Sequence, residues 1–151
     1  MALIRPACTA NIPRLLVLYE GLSLVTTPAE QSPHPTRTDC ERVLAQVQST
    51  PGYTLLVIEE NGETADLMGL LIMPYLSHGA LPWALIESVS INSHCRDLGL
   101  GTMLMKYAIE RVYAAGCYKP VLDSIKKRFD AHRFYLSPGF EEYSLGFRMH
   151  F

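Results

Sequence analysis

The sequence lacks the features that mark several large classes of protein. Its four cysteines, Cys8, Cys40, Cys95 and Cys117, are far apart and form no CxxC pair, so neither a zinc site nor a disulfide framework is expected and reduced thiols are the simpler interpretation. No apolar run approaches the ~20 residues that span a bilayer. The first residues also lack the basic-then-apolar form of a signal peptide. We therefore expect a cytoplasmic protein with no metal and no membrane partner.

An excess of charge of one sign is also missing. The 151 residues carry a formal net charge of −2, which argues against nucleic acid or an anionic membrane as the main partner. Apolar residues make up 48% of the chain and charged residues 19%, as in an ordinary globular protein. No repeat, low-complexity tract or linker divides the sequence. We predict one domain over residues 1–151.

The two common phosphate-binding motifs are absent, but a related turn is present. There is no GxxxxGK[ST] run and no GxGxxG run,. Instead, Arg96-x-x-Gly99-x-Gly101 lies between a predicted strand, 84–91, and a predicted helix, 100–115. The first N–H groups of a helix have no partner inside it and favour an anion. Glycines let a diphosphate approach the backbone, and arginine adds a fixed charge. Tight packing is the commoner reason for two glycines in a strand-to-helix turn, so the flanking sequence has to decide.

Hydrophobic periodicity and turn residues predict the order β, α, α, β, β, β, α, β, α, β. The clearest helix is 100–115, and Asn61-Gly62 marks a hairpin turn between two strands. Asp39 is predicted to cap the second helix. This order indicates a mixed sheet with helices on its faces. The predicted strands are 3–5, 53–58, 66–73, 84–91, 121–123 and 142–151, and the predicted helices are 11–24, 39–48, 100–115 and 130–137.

Four segments in the right order resemble the GNAT family of N-acetyltransferases. Arg96-x-x-Gly99-x-Gly101, after the run 86–91, is similar to that family's acetyl-CoA-binding motif and central strand. Segment 116–123 resembles glucosamine-6-phosphate N-acetyltransferases. Segment 130–135, followed by 138–140, is similar to the last helix of aminoalkylphosphonate N-acetyltransferases. The resemblance implies the α/β (α+β) GNAT fold, with a mixed, mostly antiparallel sheet of about six to seven strands and about four helices.

The resemblance also implies a reaction. It is the transfer of acetyl from acetyl-CoA to a primary amine of a small molecule, by direct attack in a ternary complex. Two alternatives remain open: acetylation of a protein lysine or N-terminus, and a non-catalytic acyl-CoA sensor on the same fold. Many relatives are homodimers, and the apolar residues 147–151 are a candidate edge for such pairing.

By the same resemblance, two segments hold the cofactor. The backbones of Val89 and Ile91 would pair with the pantetheine arm, and an N–H near Ile91 would donate to the thioester carbonyl. The backbone N–H groups of the turn would surround the diphosphate. The turn residues are Arg96, Asp97, Leu98, Gly99, Leu100, Gly101 and Thr102.

Two residues are the catalytic candidates. Tyr135 is placed by the resemblance as the general acid for the departing thiolate, although its aromatic neighbours also fit a core position. Glu87 is predicted to share a strand face with Leu85, Val89 and Ile91, where a carboxylate is costly without a purpose. It would take the amine proton, through water, or hold the ammonium group. The alternative is a carboxylate at a strand end, paired with a basic side chain.

Three further residues are candidates for contact with the acceptor. Asp123 ends a predicted strand and is expected to face the same cleft. Tyr75 and Trp83 flank the loop before strand 84–91. A structural turn explains Asp123 equally well, and packing explains the two aromatic residues. No motif identifies the amine itself.

Overall fold

The described residues of the computed structural model, 1–22, 33–91 and 98–151, form a five-stranded mixed sheet with helices on both faces. The strands lie in sequence order, and every neighbouring pair is antiparallel except β4 and β5, which are parallel. The strands are β1 (Leu3–Pro6), β2 (Tyr53–Glu60), β3 (Glu63–Met73), β4 (Trp83–Ile91) and β5 (Pro120–Leu122). The helices are α1 (Ile12–Leu22), α2 (Arg37–Ser49), α3 (Leu100–Ala114) and α4 (Phe129–Leu136).

Each face of the sheet contributes side chains to its own apolar cluster, because successive strand residues point to opposite faces. On β2, Leu55 and Val57 pack with α1 and α2, whereas Leu56 and Ile58 pack with α3 and α4. Leu56, Val57 and Ile58 have no exposed surface. The sheet is therefore covered on both sides, and α1 and α4 lie on opposite faces.

Most predicted elements are confirmed within a few residues of their bounds. The turn residues Asn61 and Gly62 join β2 to β3 with positive φ angles of 53° and 82°, as a tight hairpin requires. One detail of α2 differs from the prediction. Thr36, not Asp39, is the N-cap, and Asp39 accepts a hydrogen bond from the Thr36 N–H (3.1 Å) at the third helical position. The pair is a capping box.

The predicted final strand at 142–151 is wrong, and the sheet has five strands where six to seven were expected. Residues 141–151 are exposed and pair with no strand that the structure describes. Alternation in a sequence defines the two faces of a strand but does not supply a partner. The nearest sheet edge, β5, is only three residues long.

A polar cluster fixes α1 against the sheet. The Arg5 side chain on β1 forms a hydrogen-bonded ion pair with Glu59 on β2. Buried Asn11, just before α1, donates to Glu59 Oε1 (3.0 Å) and to Thr64 Oγ1 (2.9 Å). The Arg5 hydrogen bond lowers the pKa of Glu59, so the carboxylate stays charged. This cluster determines where α1 begins and thus where the far end of α1 lies.

One buried carboxyl group on β3 should control the pH dependence of stability. Asp66 is 1% exposed, and burial raises its pKa from 3.8 to about 8. In the unfolded chain the Asp66 carboxyl ionises near pH 4, whereas in the folded chain it keeps its proton up to about pH 8. The free energy of unfolding therefore falls as the pH rises from about 4 to about 8. We expect Asp66→Asn to raise the free energy of unfolding near neutral pH by a few kcal/mol, on the order of that pKa difference.

Denaturant unfolding at about pH 5 and about pH 8 measures this effect. The side-chain amide of the variant would keep the acceptor for the Leu67 N–H, which lies 3.1 Å from Asp66 Oδ1. Asp130→Asn, at a residue whose side chain is 75% exposed, is the matched control and should change stability little. A gain from Asp66→Asn that is equal at both pH values would contradict the assignment.

Candidate active site

A pocket opens where β4 and β5 separate. The two strands pair at Ala84–Pro120, Leu85–Val121 and Ile86–Leu122, and the pairing ends there. Beyond this point the pocket has a volume of about 250 Å³, close to the lower end for small-molecule sites. It is bounded by α1, β4, the segment after β5, and α4. The lining residues are Tyr19, Leu22, Ile86, Glu87, Ser88, Val89, Asp123, Ser124, Ile125, Arg128 and Tyr135.

A β-bulge shapes the β4 wall of this pocket. The register with β3 shifts by one residue between Leu67 and Gly69, and Ser88 has a φ of 51°. A bulge leaves its extra residue out of the ladder and turns the strand. Val89 consequently packs in the same apolar cluster as Ile86. The prediction that Glu87 and Val89 share a face is therefore wrong, because strict alternation fails at the bulge.

Hydroxyl groups hold the Glu87 carboxylate on the opposite face. The Tyr53 hydroxyl on β2 donates to Glu87 Oε1 (2.7 Å), and the Ser88 hydroxyl donates to Oε2. The interaction with Ser88 is one between neighbours in sequence, and that with Tyr53 reaches across β3 to β2. The alternative of a Lys or Arg partner has no support among the ion pairs of the described residues.

Gly69 provides the space for that carboxylate. It lies opposite Glu87 in the β3–β4 register. A Cβ atom at position 69 would be 1.9 Å from Glu87 Oε1, well inside contact distance. Only glycine leaves room for Glu87 to lie across β3 toward Tyr53.

Two tyrosines beside Glu87 remain neutral. Burial, followed by the charge of Glu87, raises the pKa of Tyr19 to about 12. Burial and the hydrogen bond to Glu87 raise the pKa of Tyr53 further above its usual range. A neutral phenol keeps its O–H for donation, and the Tyr53 hydroxyl donates it to Glu87 Oε1,.

Tyr135 lies on the other side of the pocket, on α4. It is 8% exposed and packs edge-on against Phe134 and Phe140, with ring centroids 5.6 and 6.5 Å apart. Burial raises the pKa of its phenol, while Arg128 lowers it. A protonated phenol that lines the pocket suits a general acid. Tyr135 therefore belongs both to the apolar core and to the lining of the pocket.

The start of α3 contains the second half of the turn that is predicted to bind the diphosphate. Gly99 is the N-cap, with a φ of 68°, and within the described residues no atom outside its neighbours lies within 4 Å of where a Cβ would be. Its conformation, and not crowding, requires glycine. Leu98 and Thr102 are exposed, and Leu100 and Gly101 are buried. Arg96 and Asp97 lie outside the described residues, as does the side chain of Ile91.

The predicted acceptor residues fall in two places. Asp123 lines the pocket together with Glu87 and Tyr135. Tyr75 and Trp83 lie near the opposite end of β4, where Tyr75 stacks with His78 and Tyr118 at centroid distances of 6.1 and 6.0 Å. They are absent from the lining of this pocket. A role for them in acceptor binding stays a prediction.

Several site residues were not predicted from the sequence. Tyr19 lies within the predicted helix 11–24 and Tyr53 within the predicted strand 53–58, and neither was predicted to line the site. Ser88, Gly69 and Arg128 carried no recognisable signal, since their roles depend on the bulge and on contacts across strands. In the described part of the chain, no group of three or more His, Cys, Asp or Glu side chains could hold a metal ion.

Comparison with known proteins agrees with this architecture. The sequence profile of the family described as Acetyltransferase (GNAT) family matches residues 18–140. YhdJ, an uncharacterized N-acetyltransferase of Bacillus subtilis (strain 168), is 35% identical over 95 residues, which are 63% of this chain and 65% of that protein. The match therefore spans less than two thirds of that curated relative.

Two solved structures extend the similarity to the whole chain. A protein of Agrobacterium tumefaciens str. C58, described as an acetyltransferase, is 33% identical with a TM-score of 0.86, covering 98% of this chain and 99% of its own. Glucosamine-6-phosphate N-acetyltransferase from Arabidopsis thaliana has a TM-score of 0.83 and 21% identity, covering 100% and 99%. At 21% identity, the similarity to the Arabidopsis thaliana enzyme shows a shared fold alone.

Proposed function

This chain belongs to the acetyltransferase (GNAT) family, and from that premise we propose that it transfers acetyl from acetyl-CoA to a primary amine of a small molecule. The observation that carries the proposal is the pocket itself. It brings Glu87 and Tyr135 to opposite walls, with the β4 bulge between them. A pocket of about 250 Å³ can hold an acetyl group and a compact amine, and it suits such an acceptor better than it suits the surface of a folded protein,.

The first chemical requirement is a neutral amine. An alkyl amine with a pKa near 10.4 is neutral in only about one molecule in 2,500 at pH 7. The Glu87 carboxylate, held by Tyr53 and Ser88, attracts the ammonium form and takes its proton, through water. Gly69, which has no side chain, leaves the space in which this carboxylate lies.

The second requirement is to form and collapse a tetrahedral intermediate. The amine nitrogen attacks the thioester carbonyl carbon, and a backbone N–H near the end of β4 donates to the developing oxyanion. The C–S bond then breaks with its electron pair on sulfur. Tyr135 supplies the proton that converts the thiolate to the free thiol of CoA. The products are an amide and CoA, and the proton that the attacking nitrogen loses on becoming the amide passes through water to the phenolate and restores Tyr135.

The cofactor is proposed to lie between β4 and the start of α3. The α3 N-terminus supplies N–H groups with no partner inside the helix, and Gly99 at the N-cap has no side chain to keep a diphosphate from its backbone,. Arg96, Asp97, Leu98, Leu100, Gly101 and Thr102 complete this proposed turn, and the Val89 and Ile91 backbones are proposed to pair with the pantetheine arm.

The oligomeric state and the cellular location of the enzyme are also proposed. We propose a homodimer in the cytoplasm, where the described cysteines Cys8, Cys40 and Cys117 stay free thiols,. No helix in the described residues has the length and apolar character needed to cross a membrane.

A thiol-release assay with acetyl-CoA and a panel of amines tests the proposal. The panel contains amino sugar phosphates, aminoalkylphosphonates, polyamines and lysine peptides. Turnover on at least one small amine, with lysine peptides poor, is the expected result. Turnover on peptides alone would establish a protein acetyltransferase instead. Acetyl-CoA binding by calorimetry with no turnover on any amine would indicate a sensor.

A further inference from the structure

The lining of the pocket carries charges of both signs. Within the residues that the structure describes, its charged side chains are Glu87, Asp123 and Arg128. The proposed acetyl transfer uses Glu87 for the amine, and it gives no role to the guanidinium of Arg128. Asp123 is exposed, whereas Arg128 is half-buried. A fixed positive charge in a pocket that takes an ammonium group requires a purpose.

The guanidinium of Arg128 is unpaired in the described part of the chain. It forms neither an ion pair nor a hydrogen bond with another described residue. Asp130, the acidic residue in the first turn of α4, pairs with Arg133 instead (2.6 Å). Arginine stays charged at any physiological pH, and an unpaired charge that is partly buried costs free energy. An anion bound in the pocket would offset that cost.

The backbone holds Arg128 at the pocket. The Ile125 carbonyl accepts hydrogen bonds from the Arg128 N–H (2.9 Å) and from His132 Nε2 (3.0 Å), which ties the turn 125–128 to α4. Arg128 precedes Tyr135 by seven residues, a spacing that places two side chains on the same side of a helix. The charge of Arg128 also lowers the pKa of Tyr135. The guanidinium therefore lies within electrostatic reach of the proposed acid.

We propose that Arg128 binds an anionic group on the acceptor, so that the substrate class is a small amine that also carries a carboxylate, phosphonate or phosphate. This inference rests on the proposed acetyl transfer. The ammonium end of such a molecule lies at Glu87, and its anionic end lies at Arg128. A guanidinium donates two parallel hydrogen bonds to the oxygens of any of these anions, which fixes both the position and the orientation of the acceptor.

The competing source of an anion is a phosphate of the cofactor. The described residues of the proposed diphosphate turn, 98–102, lie at the start of α3, and none of them lines this pocket. Arg128 instead shares the lining with Glu87 and Asp123, the two carboxylates that attract the ammonium group. This grouping favours the acceptor as the ligand of Arg128.

Three propylamines that differ only at the far end of the chain test this inference. The far end is a phosphonate, a hydroxyl or a second amino group, and kcat/KM is measured by thiol release at saturating acetyl-CoA. We expect the wild type to favour the phosphonate over the hydroxyl by about 10- to 100-fold, the usual range for hydrogen bonds to a charged group. Arg128→Gln should bring this ratio close to one, and Arg128→Glu should favour the diamine. Each ratio compares two amines on the same variant, so any loss of folded protein cancels.

Lys127→Glu is the matched control for Arg128→Glu, because it makes the same change of charge at the adjacent residue. Lys127 is exposed and absent from the lining of the pocket. The control should keep the preference for the phosphonate. An equal loss of preference in both variants would indicate a general effect of charge and would overturn binding by Arg128. An Arg128→Gln variant that binds acetyl-CoA more weakly, with the ratio unchanged, would assign Arg128 to a cofactor phosphate and also overturn the inference.

Calorimetry of the same amines in the presence of CoA separates this inference from the proposed function. The wild type should bind the phosphonate amine at least about 10-fold more tightly than the hydroxyl amine, and Arg128→Gln should not. Such binding without turnover would contradict acetyl transfer and keep the anion site. Turnover of all three amines with equal kcat/KM would contradict the anion site and keep acetyl transfer. Neither binding nor turnover of the phosphonate amine would overturn the anion site.

Discussion

Replacing Tyr135 with Phe is expected to lower kcat by about 10²–10⁴-fold, the usual contribution of a general acid. The ring lies in a core cluster and is 8% exposed, so the variant keeps its packing and loses only the hydroxyl. Acetyl-CoA affinity should change little, because the phenol acts on the departing sulfur. Steady-state kinetics on an accepted amine, with calorimetry for acetyl-CoA, separates the two quantities.

Tyr107→Phe is the matched control for this substitution. Tyr107 packs against the same core cluster from α3, and it is absent from the lining of the pocket. Its hydroxyl accepts only a long contact of 3.4 Å from Arg111. The control should keep wild-type kcat. Unchanged kcat in Tyr135→Phe would remove the acid assignment and leave Tyr135 as a packing residue.

Placing Trp at position 99 is expected to abolish acetyl-CoA binding, with an affinity loss of about 100-fold or more, or roughly 2.7 kcal/mol. The indole would project from the N-cap of α3, next to the first N–H groups of the helix, which are proposed to bind the diphosphate,. The positive φ adds a modest cost to folding, about 1–2 kcal/mol. Calorimetric titration of acetyl-CoA measures the first effect, and denaturant unfolding measures the second.

Gly116→Trp controls for that folding cost. Gly116 follows the other end of α3, has a φ of 72°, and also has no atom of the described part of the chain, its neighbours apart, within 4 Å of the position that a Cβ would take. The same residue in the same strained conformation should cost similar stability and leave acetyl-CoA affinity unchanged. If both variants bind acetyl-CoA alike, the start of α3 is not the diphosphate site.

Local chemistry explains which parts of the fold were predictable from the sequence. Helix α3 has an unbroken 3.6-residue period between two glycines, and the β2–β3 hairpin has an Asn-Gly turn. Signals of this kind depend on neighbours in sequence alone. Residues 142–151 alternate as clearly, yet they form no strand, because a strand also needs a partner edge that no sequence pattern specifies,.

The candidate site was also predictable from the sequence only in part. Glu87, Asp123 and Tyr135 were predicted, and the structure brings them to one pocket. The arrangement of Glu87 was not predictable, since it depends on a bulge at Ser88 and a glycine on the next strand. Bulges carry no reliable signature in sequence, and cross-strand contacts depend on register.

The most direct test of acetyl transfer in a ternary complex follows the acetyl group itself. Wild-type protein is mixed with acetyl-CoA labelled in the acetyl carbons and with an accepted amine, and all species are analysed by mass spectrometry during a single turnover. Direct attack predicts that the label appears on the amine nitrogen at the rate of thiol release, with none retained on the protein. Label on a protein side chain before it reaches the amine, or label that never leaves CoA, would contradict the account.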